Sequence, residues 1–110
     1  MRIPSAEAVI PKEKLTHYLL LPREEDDKSK FLARAGFNVD NPDELEKAIR
    51  GILQENEAIP DRRNEYGTYY RVVGSLVGVS RRILQVVTVW IVLVQDDGTF
   101  RFVTLKPLKE

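Results

Sequence analysis

The hydrophobic positions of this chain change their period once, near residue 60. Before that point the apolar residues recur at helical spacing. Ile3 to Ile10 reads as extended. Pro11 then suits the first turn of a helix over 11–20, with Leu15, Tyr18 and Leu19 on one side and Pro22 as its stop. A second, short helix is predicted over about 27–35, burying Phe31, Leu32 and Ala35 and ending at Gly36. The acidic run Glu24–Asp27 ahead of it complements a helix macrodipole. A third helix, 42–55, carries the clearest pattern. Asn41, Pro42 and Glu44 form a capping-box signature, and Leu45, Ala48, Ile49, Ile52 and Leu53 follow at i, i+3, i+4, i+7 and i+8.

Beyond residue 60 the period becomes two. Strands are predicted over 68–77, 83–95 and 99–106, segments rich in β-branched and aromatic residues. Asp97-Gly98 reads as a two-residue hairpin turn between the last two. Gly74 and Gly78 interrupt the first strand region, with a turn expected near Gly78-Val79-Ser80. The middle run, Val86 to Val92, lacks clean alternation, as a strand covered on both faces does, or one with a face at a dimer contact. The expected fold is α+β in a single domain, 1–110, with helices packed on a small antiparallel sheet.

Composition sharpens this picture in two places. The 17 Lys and Arg balance 17 Asp and Glu, which argues against a generally basic nucleic-acid binder. Residues 1–60, however, hold 9 basic and 12 acidic side chains, and residues 61–110 hold 8 and 5, so positive charge gathers in the strand half. The absence of cysteine removes disulfides, thiolate zinc sites and cysteine nucleophiles. The amino terminus lacks the apolar core of a secretory peptide, and Gln85 and Thr88 interrupt the longest apolar run. A cytoplasmic protein with no membrane association is the expectation.

Dinucleotide and phosphate-loop motifs are missing, as are the serine-hydrolase elbow and the H-E-x-x-H zinc signature. No cofactor and no metal site are expected. His17 is the single histidine, readable as a general acid or base or, more commonly, as a surface helix residue. With no second imidazole, cleavage chemistry would fall to Lys, Tyr, Glu or substrate-assisted transfer. Tyr66, Tyr69, Tyr70 and Trp90 interleave with Arg71 and Arg82, a composition that stacks bases and holds phosphates on RNA-binding sheets but also serves core packing.

Several stretches resemble, in order, a bacterial family of unknown function that occurs as small stand-alone proteins and as C-terminal modules of polymorphic toxins. They are Ile3–Ala8, Glu13–Leu20, Lys28–Leu32 leading to Gly36-Phe37, Gly67–Tyr70, Thr88–Trp90, and Val103-Thr104 followed by Pro107. The order of elements is also similar, more distantly, to the barnase-, colicin- and RelE-like ribonuclease toxins. That resemblance implies metal-independent RNA cleavage, with Lys28, Tyr70, Thr88 and Thr104 as catalytic candidates and Lys14, Arg71 and Arg82 as RNA contacts. Such a site requires the four candidates to converge on a solvent-open cleft. RNA and a cognate antitoxin or immunity protein are the implied partners. The alternative is a non-catalytic interaction module that pairs through its apolar strand, as a homodimer or with another protein.

Overall fold

A computed structural model describes residues 1–22, 24, 28–96 and 98–108. Most of the acidic run before the second helix, Glu25 to Asp27, lies outside the described residues, as does Asp97 of the expected hairpin turn. The architecture is α+β: helical segments packed on a four-stranded antiparallel sheet.

The strongest sequence signal gives the longest helix, α2 (Pro42–Glu55), which buries Leu45, Ile49, Ile52 and Leu53. Its start differs from the expected capping box. The Asn41 side chain turns back into the preceding loop, accepting the Asn38 backbone N–H at 2.8 Å and donating to the Gly36 carbonyl at 2.9 Å. A short polar side chain has such local backbone partners to choose from, and here they outcompete the helix end. The second helix, α1 (Ser29–Ala33), is shorter than expected and unwinds through a turn into Gly36, whose φ of 88° suits glycine. The first is a π-helix, Lys14–Leu19, narrower than the expected 11–20. Its wide turn shows in the Leu20 N–H, which reaches back five residues to the Leu15 carbonyl at 2.9 Å.

The sheet runs in the order β1 (Ile59–Arg63), β2 (Gly67–Val77), β3 (Ile83–Leu93) and β4 (Arg101–Pro107). β1 was not expected: its sequence, Ile-Pro-Asp-Arg-Arg, has no apolar alternation, and all five residues are exposed. It forms by pairing at an edge, where proline and charge are tolerated. β2 passes through Gly74 without a break. Glycine is needed there because α2 approaches closely; a Cβ would lie 2.6 Å from Asn56 Nδ2 and 2.9 Å from Ile52 Cγ2. Gly78 does end the strand, and its N–H closes the turn on the Arg82 carbonyl at 2.8 Å. The β3–β4 connection spans 94–100, longer than a two-residue hairpin, with Gly98 at φ 81°.

Alternation divides the sheet into two faces. Val72 and Leu76 of β2, Val86 and Trp90 of β3, and Phe102 and Leu105 of β4 join the core shared with the helices. The alternate set differs: Val73, Val87 and Val89 are half-buried and lie outside the core cluster, and Ile91 beside them is buried at 8% exposure without joining that cluster. The continuous apolar run in β3 therefore has one face under the helices and the other free of them among the described residues. The extended amino-terminal segment meets the outer edge of β4 at Val9, which accepts the Phe102 N–H and donates to the Phe100 carbonyl, both at 2.9 Å. No described helix is long and apolar enough to cross a membrane.

Candidate cleft between the π-helix and the outer strand

The sheet edge at β4 carries an irregularity that builds a site. Trp90 pairs with Phe102 and Val89 with Thr104, so Val103 has no partner on β3. Such a bulge twists an edge strand and re-aims its groups, a device often found beside functional sites. Here the bulged Val103 carbonyl accepts a hydrogen bond from Lys14 Nζ at 3.2 Å. Thr104, the next residue, accepts one from Lys28 Nζ at 3.1 Å. The same ammonium lies 5.3 Å from the centre of the Tyr18 ring, a cation–π distance.

These contacts border an open cleft of about 510 Å³, lined by Glu13, Lys14, His17, Tyr18, Val103 and Thr104. The π-helix positions its wall. Leu15 and Leu19 are fully buried and pin the segment to the core, which leaves Lys14, His17 and Tyr18 toward the cleft. π-Helical turns are rare and recur at functional sites. The cleft thus brings an ammonium, a threonine hydroxyl, an imidazole and a carboxylate to one solvent-accessible place, with the Lys28 ammonium held at its border through Thr104.

Of the expected catalytic residues, Lys28 and Thr104 come together, and Lys14 joins them. The other two lie elsewhere. Thr88 is fully buried; its hydroxyl donates to the Val72 carbonyl at 3.0 Å and accepts from Trp90 Nε1 at 2.9 Å. It also pairs with Leu105, one register step from the Val89–Thr104 pair, so the two threonines do not share one phosphate. Tyr70 packs edge-on against Phe100, with ring centres 5.2 Å apart, on the helix side of the sheet. The four candidates do not converge, because successive strand residues alternate between faces. Arg71 is exposed on the helix-free face, and Arg82 sits in the turn after Gly78. Trp90 is fully buried and Tyr70 half-buried, which removes both from any base-stacking surface.

Glu13, His17 and Tyr18 are polar or aromatic cleft residues that sequence reasoning did not place in the site. Their signal was positional: each stands within one helical turn of Lys14 on a segment already singled out. Only the fold supplies the wall opposite them, since Lys28 and Thr104 are 76 positions apart. Among the described residues no group of three or more histidines, aspartates and glutamates is placed to hold a metal ion.

Comparison with solved structures finds the same fold in a contact-dependent growth inhibition toxin–immunity protein complex from Klebsiella pneumoniae 342. The superposition has a TM-score of 0.64 and 17% sequence identity, and covers 96% of this chain and 97% of that one. No curated protein matches the chain. A family model described as a domain of unknown function, DUF6883, matches residues 2–109, nearly the whole length, and the chain therefore belongs to that family.

Proposed function

We propose that this protein is an RNA-directed, toxin-like domain that cleaves RNA without a metal ion, at the cleft between the π-helix and β4. The observation that carries the reading is the Lys28–Thr104 contact beside Lys14 and His17 on an open wall. A phosphodiester carries negative charge that increases as a neighbouring 2′-hydroxyl attacks phosphorus. Lys14 and Lys28 supply fixed positive charge there, and the Thr104 hydroxyl supplies a hydrogen-bond donor. Lys28 already points its ammonium at Thr104, so little reorganisation is needed when a phosphate oxygen arrives.

The proton transfers fall to the two remaining polar groups of the wall. Glu13 and His17 bring a carboxylate and an imidazole to the cleft, and they divide the base and acid roles. The base removes the 2′-hydroxyl proton, the O2′–P bond forms, the P–O5′ bond breaks, and the acid protonates O5′. The products are a 2′,3′-cyclic phosphate and a free 5′-hydroxyl. The fold shared with one chain of a toxin–immunity complex supports a toxin-like role paired with a protein partner.

The test is incubation of end-labelled RNA with the protein in excess EDTA. Wild type yields cyclic-phosphate ends. Lys28→Ala lowers the rate by about 10²- to 10³-fold, as loss of one charge-stabilising donor does. His17→Ala lowers it by about 10²- to 10⁴-fold. Intact RNA after prolonged incubation with folded wild type refutes the reading.

A further inference from the structure

The helix-free face of the sheet is organised in rows set by strand register. Tyr69, Ile91 and Arg101 stand side by side, then Arg71, Val89 and Thr104, then Val73, Val87 and Lys106. At one end Val77 and Ile83 pair, 59% and 55% exposed, and at the β1 edge Ile59 pairs with Arg71 and is 46% exposed. The centre of the face is aliphatic, and the charged residues of its three longest strands are all cations. No residue of β2, β3 or β4 is Asp or Glu. Arg101 is neutralised by Asp96 at 2.6 Å, but Arg71 and Lys106 have no carboxylate partner among the described residues.

We propose that this face is the docking surface for an acidic protein, one presenting an apolar centre bordered by carboxylates. The proposal deepens the partner reading above and rests on that pairing, not on catalysis in the cleft. Three observations select this occupant. Arg71 and Lys106 border the valine rows, so a partner gains both apolar burial and charge pairing, the usual anatomy of a protein interface. A second copy of this chain is disfavoured, because a self-complementary contact would set these unpaired cations against one another. RNA is disfavoured too. Sheet readers of RNA stack bases on exposed rings, whereas Trp90 and Tyr70 face the helices and the Tyr69 ring is covered by the Arg62 guanidinium at 4.4 Å. The strand spacing and rise give the face an area on the order of 500 Å², a large part of the ~800 Å² that one partner contributes to a standard interface.

The test uses a defined probe, a random glutamate–tyrosine copolymer, which combines carboxylates with apolar rings. Amide and methyl NMR spectra of the labelled protein are recorded during titration, with polyglutamate and polyuridylate as comparators. The expected result is shifts at Arg71, Val73, Val87 and Val89, with the copolymer bound more tightly than either comparator. The double variant Arg71→Glu, Val87→Glu weakens binding at least tenfold while its circular dichroism spectrum and melting remain those of a folded domain. Should that double variant fail to fold, Lys106→Glu alone is expected to weaken binding at least threefold. Shifts confined to the π-helix would overturn the location yet leave partner pairing intact. Tighter polyuridylate binding on this face, concentration-dependent self-association through it, or no copolymer binding overturns the proposal. A wild type that leaves RNA intact removes the cleft chemistry and does not touch this inference.

Discussion

Thr88→Val separates a packing role from a chemical one at a residue whose hydroxyl looks available in the sequence and is not. The substitution keeps the side-chain shape and replaces the hydroxyl with a methyl group. Two hydrogen bonds disappear, the one to the Val72 carbonyl and the one from Trp90 Nε1. Trp90 is fully buried, so its N–H is left without an acceptor in an apolar setting. A buried orphaned donor costs about 1–3 kcal/mol, more than the net worth of an ordinary hydrogen bond. Thr88→Ser keeps the hydroxyl and removes one methyl group, at a cost of about 1 kcal/mol. Each kcal/mol lowers the melting temperature of a domain this size by roughly 4–6 °C. Urea unfolding followed by fluorescence reads the effect directly, because Trp90 is the only tryptophan and moves from core to water. The expected order of stability is wild type, Thr88→Ser, Thr88→Val, with m-values unchanged. A Thr88→Val protein as stable as wild type, or more stable than Thr88→Ser, refutes the reasoning.

Other parts of the molecule give independent expectations. Gly78→Ala places a Cβ 2.4 Å from both the Cβ and the carbonyl oxygen of Ala35, so calorimetry should show a loss of about 1–3 kcal/mol as α1 is pushed off the sheet end. Arg50→Ala removes donors to the Ser5 and Ala8 carbonyls and the ion pair with Glu46; hydrogen exchange at Val9 and Phe102 should accelerate while the centre of β3 stays protected. Ile49→Ala empties a fully buried position on α2 and should cost about 2–5 kcal/mol in chemical denaturation.

What the sequence reveals about the fold follows the range over which each signal acts. α2 is legible to the residue because its apolar stripe and Pro42 act within a few positions of one another. The three strands β2, β3 and β4 are legible for the same reason, since their β-branched and aromatic runs act over a few neighbouring positions. β1 is not, since its five exposed residues form a strand only because β2 offers an edge to pair with. The direction in which Asn41 turns depends on the Gly36 carbonyl, which only the completed loop brings near. The candidate cleft divides in the same way. Lys28, Thr104 and Lys14 could be named from short motifs, but Thr88 and Tyr70 could not be excluded until strand register fixed their faces. Nor does any local pattern mark Val103 as the bulge that turns its carbonyl toward Lys14.

The turn after Gly78 has a practical consequence for anyone inserting a tag or reporter into this chain. Hairpin tips are ordinarily the safest places for added residues. This one is docked: Ser80 donates its N–H to the Ala35 carbonyl at 3.2 Å, and Gly78 leaves no room for a side chain against the same residue. Ala35 lies in the turn that follows the second helix, so a label inserted at residues 79–81 would disturb the contact that docks this hairpin against it. Gly98 is the better attachment point, because a side chain there would meet nothing within 4 Å. Its positive φ calls for keeping the glycine and placing the insertion immediately after it.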